Sequence, residues 1–341
     1  MPLASRTPFA LLAASVFAFA AAAEPPAVKP VSPAEPSVRP ASPPATEAGR
    51  IDLRPRFELG KVVRYTMKQV SDQQVPNAED PKDPHKTRLE QNIGLKMTTK
   101  AIDKETGEAT VELVYESVKA KLDSPLSNVD FDSTKTAPAK TPGGKAPAPA
   151  SSDPFDAVDN MVLEQFKKMV GTTMTMKVAK DGRITSVAGG ESLAPAIPGL
   201  PGTGDAMKNL GGLFGPITTN SSKGFDGFAR IGERWTHKDG LSVEPLGELD
   251  LTTTYDLRSH AGNLAKVYFN GRVESRSNTA GSPVPVGVEG AEHKGLYSWD
   301  TRQGQLVHCE MEQKTTLSGT LTGGQPSIAT TSLVFDRVDK K

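Results

Sequence analysis

Five histidines and one cysteine have the widest chemical reach in this chain, and their spacing limits what they can do. His85, His237, His260, His293 and His308 are scattered, and no two lie at helical ligand spacing. His308 and Cys309 are neighbours. On a strand, adjacent side chains point to opposite faces, so these two cannot grip one metal ion. Cys309 shares its alternation with Val307 and Met311 and reads as a small core residue. A reactive thiolate would need positive neighbours, which that face does not offer. His308 is then expected to face solvent. The chain carries no G-x-S-x-G, P-loop, dinucleotide fingerprint or zinc pattern. Asp130 and Asp132 are paired acids, but they adjoin a low-complexity stretch that could not hold catalytic geometry. Asp300 follows Trp299 where aspartate forms turns. Asn220-Ser221-Ser222 fits the glycosylation acceptor pattern, which is too short to decide anything. The expectation is no catalytic residue, no cofactor, no metal and no enzyme.

The elements that would position such groups are strands. Tyr297 and Trp299 share one face, Val307, Cys309 and Met311 share the next, and Asp300 to Gly304 turns between them. A similar hairpin opens at Gly171, with Met174, Met176 and Val178 on one face and Asp181-Gly182 at its turn. Leu89, Ile93, Leu95 and Met97 alternate with Glu90, Asn92, Lys96 and Thr98, the period of a half-buried strand. Asp103 to Gly107 turns the chain, and Val111, Leu113 and Tyr115 return. Leu249, Leu251, Thr253, Tyr255 and Leu257 repeat this layout, turning at Ser259 to Gly262 and returning through Ala265, Val267, Phe269 and Val273. Ser277 to Gly290 reads as a Gly/Pro loop, and Ser327 to Val338 as the last strand, with Leu333 and Phe335 inward.

Asp153-Pro154 reads as a helix cap and first helical residue. Phe155, Val158, Val162, Phe166 and Met169 follow at helical spacing, and Gly171 ends the helix. The fold class expected is mainly β: a curved antiparallel sheet or open barrel built from two related halves, about 50–188 and about 228–338. One amphipathic helix packs on it.

Composition bounds the rest. Forty basic and 40 acidic residues cancel, and no basic stripe supports nucleic-acid binding. Arg6, the apolar run Phe9 to Ala20 and Ala21-Ala22-Ala23 before Glu24 form a secretory signal peptide over residues 1–23. The run is too short to span a membrane, which takes roughly 20 residues. The mature chain is therefore expected to be exported, to the periplasm or beyond, without a transmembrane segment. A single cysteine forbids an internal disulfide, so an apolar core must hold the fold. Residues 24–49 are a Pro/Ala-rich linker, and Ser124 to Ser152 reads as a second disordered segment.

One stretch looks site-like. Between Gly189 and Phe214, Ile197, Leu200, Met207, Leu210, Leu213 and Phe214 stand among glycines and prolines. Apolar residues in so irregular a frame suggest a cover over the sheet that admits an apolar ligand or exposes a partner surface.

Three short motifs carry a resemblance. They are Gly60 to Tyr65, the run from Phe228 through Ile231-Gly232-Glu233-Arg234 to Trp235, and Tyr297-Ser298-Trp299-Asp300 to Leu306. Over about Ile51 to Val338 the chain resembles an uncharacterised family of exported bacterial proteins of planctomycete type, which implies no catalytic residues. In layout it is similar to periplasmic lipoprotein carriers of the LolA/LolB type, whose curved sheets hold acyl chains. Unlike LolB it lacks a lipid-bearing cysteine. The functional expectation is a non-enzymatic envelope protein that binds an apolar ligand or another envelope component. The alternatives are a scaffolding module with a packed core, and third a hydrolase with an unrecognised site.

Overall fold

The computed structural model describes residues 49–77, 80, 82–125, 127–135, 154–189, 225–243, 247–275, 286–319 and 326–338. The expected signal peptide, the expected linker as far as residue 48, and all six residues of the expected cover lie outside these. Alternating sequence produces long strands. A short β1 (Ile51–Asp52) precedes β2 (Val62–Val75), β3 (His85–Ile102), β4 (Ala109–Ser124) and β5 (Ser127–Asp132). Helix α1 (Pro154–Met169) follows, then β6 (Thr173–Val178) and β7 (Ile184–Ala188). The remaining strands are β8 (Phe228–Ala229), β9 (Arg234–Val243), β10 (Gly247–Ala261), β11 (Leu264–Ser275), β12 (Val286–Asp300), β13 (Gln305–Gly319) and β14 (Ser327–Arg337).

Twelve strands form one antiparallel sheet in the order β7-β6-β4-β3-β2-β14-β13-β12-β11-β10-β9, with β5 also paired to β4. The sheet is open, ending at β7 and β9. It is also curled. Trp299 on β12 and Val111 on β4 line the same cavity of about 30 Å³. Five strand spacings of about 4.8 Å would hold them roughly 24 Å apart in a flat sheet.

One face is apolar and buried, and the other carries charges. On β13, Cys309, Met311, Gln313, Thr315 and Leu317 are buried, while Glu310, Glu312 and Lys314 are exposed. The expected inward residues of β3, β4, β10 and β11 are all buried, as are Tyr297, Trp299, Leu333 and Phe335. On α1, Val162 and Phe166 are buried, and the Phe166 ring stacks on Phe131 of β5 at 6.0 Å.

Four local readings are corrected. Val307 does not share the Cys309 face. A bulge pairs Ser298 with His308 but Trp299 with Leu306, so Leu306 is the buried residue. The extra residue shifts the alternation by one. Ser124 onward is not wholly disordered, because β5 buries Val129 and Phe131 against β4 and α1. The low-complexity composition of the following residues had masked that short alternation. The loop expected from Ser277 to Gly290 ends earlier, because β12 begins at Val286 and absorbs Gly290 in a bulge. Strand β10 likewise continues to Ala261, through Ser259 and His260, which were assigned to the turn.

The lead-ins to β2 and β9 meet at one rim. Ile51 pairs with Ala229, the Leu53 amide donates to Gly227 O at 2.9 Å, and the Arg56 amide to Gly304 O at 3.1 Å. Each lead-in ends in the same turn. Lys61 N–H donates to Glu58 O at 3.0 Å and Glu233 N–H to Arg230 O at 2.9 Å. Gly60 N–H and Gly232 N–H then donate to Thr99 O and Leu257 O on the neighbouring strands, at 2.9 and 2.7 Å.

Gly295 is a packing requirement inside the sheet. A Cβ there would collide with the Glu310 carbonyl oxygen and the Phe269 ring. Gly295→Ala is expected to destabilise by about 1–3 kcal/mol, the usual cost of overpacking. Urea denaturation checks this, and an unchanged midpoint would mean that Phe269 moves aside freely.

Candidate functional site

The curled face is graded in side-chain size along its strands. Register makes the grading visible, because directly opposed residues form rows across the sheet. One row runs Trp235, Tyr255, Phe269, Gly295, Met311, Leu333. Its rings pack in series: Trp235 on Tyr255 at 5.5 Å, Tyr255 on Phe269 at 6.1 Å, and Phe269 on Tyr297 at 4.9 Å. Toward the rim where the two lead-ins meet lies fully buried Trp299, whose Nε1 has no hydrogen-bond partner among the described residues.

Two residues further along each strand, about 7 Å away, the face turns polar. His237 opposes Thr253, Thr253 opposes Gly271, and Gly271 opposes His293. The line continues from His293 through Gln313 and Thr331 to Ser71. Thr253 Oγ1 and His293 Nε2 share a hydrogen bond of 2.9 Å. It crosses above Gly271, where a Cβ would strike the His293 ring. Ser71 Oγ and Thr331 Oγ1 are 3.0 Å apart, and Gln313 Nε2 donates to Thr315 Oγ1 at 3.1 Å. Burial pushes the His293 pKa down to about 4, so its ring is neutral at pH 7.

The next row is mostly aliphatic: Leu251, Val273, Ala291, Thr315, Ala329, ending on buried Gln73 of β2. Its aliphatic members join Leu249, Val288 and Leu317 in a second apolar cluster, apart from the aromatic one. Ser327 beside Leu317 is fully buried, and its Oγ has no hydrogen-bond partner among the described residues. The buried side chains among the described residues include no Asp, Glu, Lys or Arg.

The residues weighed first for chemistry fall elsewhere. Cys309 is fully buried, and burial, helped by the Glu310 charge, pushes its thiol pKa far up. It is a core residue, as expected. His308 is on the outer, solvent-facing side, where its Nδ1 hydrogen-bonds Asp336 Oδ1 at 2.7 Å. Register adds a line that sequence reading missed: Ser298, His308 and Asp336 lie side by side on β12, β13 and β14. Those are the residue types of a hydrolytic triad, yet no hydrogen bond joins Ser298 to His308, as nucleophile activation requires. Asp132 is tied into a turn by Thr134, and Asp300 accepts the Arg302 and Gln303 amides. Asp130 stands on β5, and its partner across the ladder is Lys121. No group of three or more metal-ligating side chains occurs among the described residues. No described helix is long and apolar enough to cross a membrane. The inward polar row had a sequence signal, since each member lies in phase with buried neighbours on its own strand. Its continuity did not.

Comparisons with known proteins add little about function. The model of a family of unknown function (DUF6263) matches residues 106–209. That span runs from the start of β4 through α1 and β7. No curated protein matches the chain. Among solved structures, the chain is similar to one described as lipid–protein interactions in lipovitellin, at 12% identity and a TM-score of 0.41. That match covers 83% of this chain and 26% of the lipovitellin chain, so this chain spans about a quarter of its length. A second is OccK7 (OpdD) of Pseudomonas aeruginosa, at 9% identity and a TM-score of 0.18, covering 82% of this chain and 99% of that one. At these scores neither likeness bears on function. What the chain shares most directly is a stretch of sequence with a family of unknown function.

Proposed function

We propose that this chain is an exported, non-enzymatic envelope protein that holds an apolar ligand in the small-residue half of its curled sheet. The supporting observation is the graded interior. Trp, Tyr, Phe and Met fill one end, while Leu, Val, Ala, Ser and Thr line the other, with no described buried Asp, Glu, Lys or Arg. Ligand sites are typically concave and mostly apolar, with a few placed polar groups. The expected signal peptide supports an envelope location, and the expected resemblance in layout to acyl-chain carriers supports the same ligand class. Native mass spectrometry of protein purified from its source is expected to show a retained lipid mass. A clean apo mass, with no uptake of the hydrocarbon probe 1,6-diphenylhexatriene, would sink the reading.

A scaffolding module with a filled interior is the second reading. It is favoured by the aromatic end, where the cavity beside Trp299 holds only about 30 Å³, the share of one water molecule. The same mass measurement separates the two.

A further inference from the structure

The transverse polar row is an expensive feature for a packed sheet interior. Burying hydroxyl, amide and imidazole groups between two apolar clusters costs free energy that aliphatic side chains would avoid. The row nonetheless crosses seven consecutive strands without interruption by a large apolar side chain, and the apolar clusters lie on either side of it. Its members are hydroxyls, one amide and two imidazoles, and burial holds His293 in its uncharged form. Each hydroxyl brings one donor and two acceptor positions. The Thr253–His293 and Ser71–Thr331 hydrogen bonds, with Gln69 Nε2 donating to Ser71 Oγ at 3.2 Å, use only part of that capacity. Ser327, buried on the same face beside the second apolar cluster, offers a hydroxyl that no described protein group engages.

We propose that this row and Ser327 recognise an uncharged hydrogen-bonding group, an ester or a hydroxyl, on a lipid whose acyl chains lie along the apolar clusters. The inference rests on the apolar-ligand reading above and narrows it to neutral lipids. A carboxylate or phosphate head would enter a face with no described buried Lys or Arg to pair it, and an unpaired buried charge is strongly disfavoured. Gly271 serves the same end. Without a Cβ there, the His293 ring at the centre of the row lies across the backbone and fixes the Thr253 hydroxyl.

The test uses the full mature chain loaded with 1,6-diphenylhexatriene, displaced in turn by dioleoylglycerol, oleate and dioleoylphosphatidylglycerol. Dioleoylglycerol is expected to displace the probe at a concentration at least about tenfold lower than either charged lipid. Thr331→Val and Ser327→Ala each remove one hydroxyl with little change of shape. Each is expected to weaken dioleoylglycerol about tenfold relative to diphenylhexatriene, while Thr331→Ser keeps the parent ratio. Probe binding with equal displacement by all three lipids would overturn the neutral-lipid inference and leave the apolar-ligand reading standing. So would unaltered dioleoylglycerol affinity in both variants. Failure of the parent to bind diphenylhexatriene at all would overturn both, and would indicate an interior already filled by the chain itself.

Discussion

Trp299→Ala is expected to lower the unfolding free energy by about 3–5 kcal/mol, the usual cost of deleting a large core aromatic. The side chain is fully buried on β12. It lines a cavity with Tyr65 and Val63 of β2, Met97 of β3, Val111 of β4 and the lead-in residues Pro55 and Phe57. Its indole therefore joins parts of the curled sheet that are not hydrogen-bonded neighbours. The ladders on both sides of β12 hold the surrounding backbone, so the space left by the indole cannot collapse fully. The indole Nε1 donates to no described protein group, so what is lost is packing. Trp299→Phe should accordingly cost much less. Urea denaturation of the two variants measures this, and a Trp299→Ala midpoint equal to the parent's would show that the indole is not part of the closure.

A second large effect should appear between pH 6.5 and about 4. Burial lowers the His293 pKa from 6.5 to about 4. The unfolded chain takes up a proton in this window while the folded chain does not. Folding therefore weakens as the pH falls through it, and the loss is complete near pH 4. A shift of this size corresponds to roughly 3 kcal/mol, absent above pH 6.5 and growing below it. Hydrogen-bonded carboxylates lose stability in the same direction. Asp52 and Asp226 are held below their ordinary value despite burial, which raises it, because Arg54 and Arg50 bond them. His293→Gln separates the two causes: glutamine does not titrate but can still bond Thr253. Urea midpoints of the parent should fall more steeply than those of the variant from pH 6.5 to 4.5. Parallel profiles would mean that His293 protonates inside the fold without cost.

Much of the fold was legible because strand burial is a local signal. Leu249 to Leu257 alternate on β10, and every expected inward residue is buried. The same holds for Tyr297 and Trp299, for Met174, Met176 and Val178, and for the helix residues Val162 and Phe166. The helix begins at Pro154, as its fixed φ and missing donor suit it to do. The local signal failed where phase changed. Val307 was assigned inward by counting from Cys309, but the bulge opposite Ser298 gives that place to Leu306. A bulge is fixed by the partner strand, and alternation in one strand carries no trace of it.

The sequence by itself determined the helix, the long strands and their apolar sides wherever no bulge intervenes, and most of the tight turns. Those properties depend on neighbours a few positions away. Tertiary structure alone decided that β2 pairs with β14, that twelve strands make one open sheet, and that the sheet curls until Trp299 and Val111 line one cavity. It also decided that Ser71 meets Thr331 across 260 residues of chain and that seven separate inward positions align in one row. Row membership depends on the register between strands, and slipping one ladder by one residue would send its polar residue to the opposite face. Register is set by the packing of the whole face and by the turns at both ends, so no single stretch of sequence encodes it.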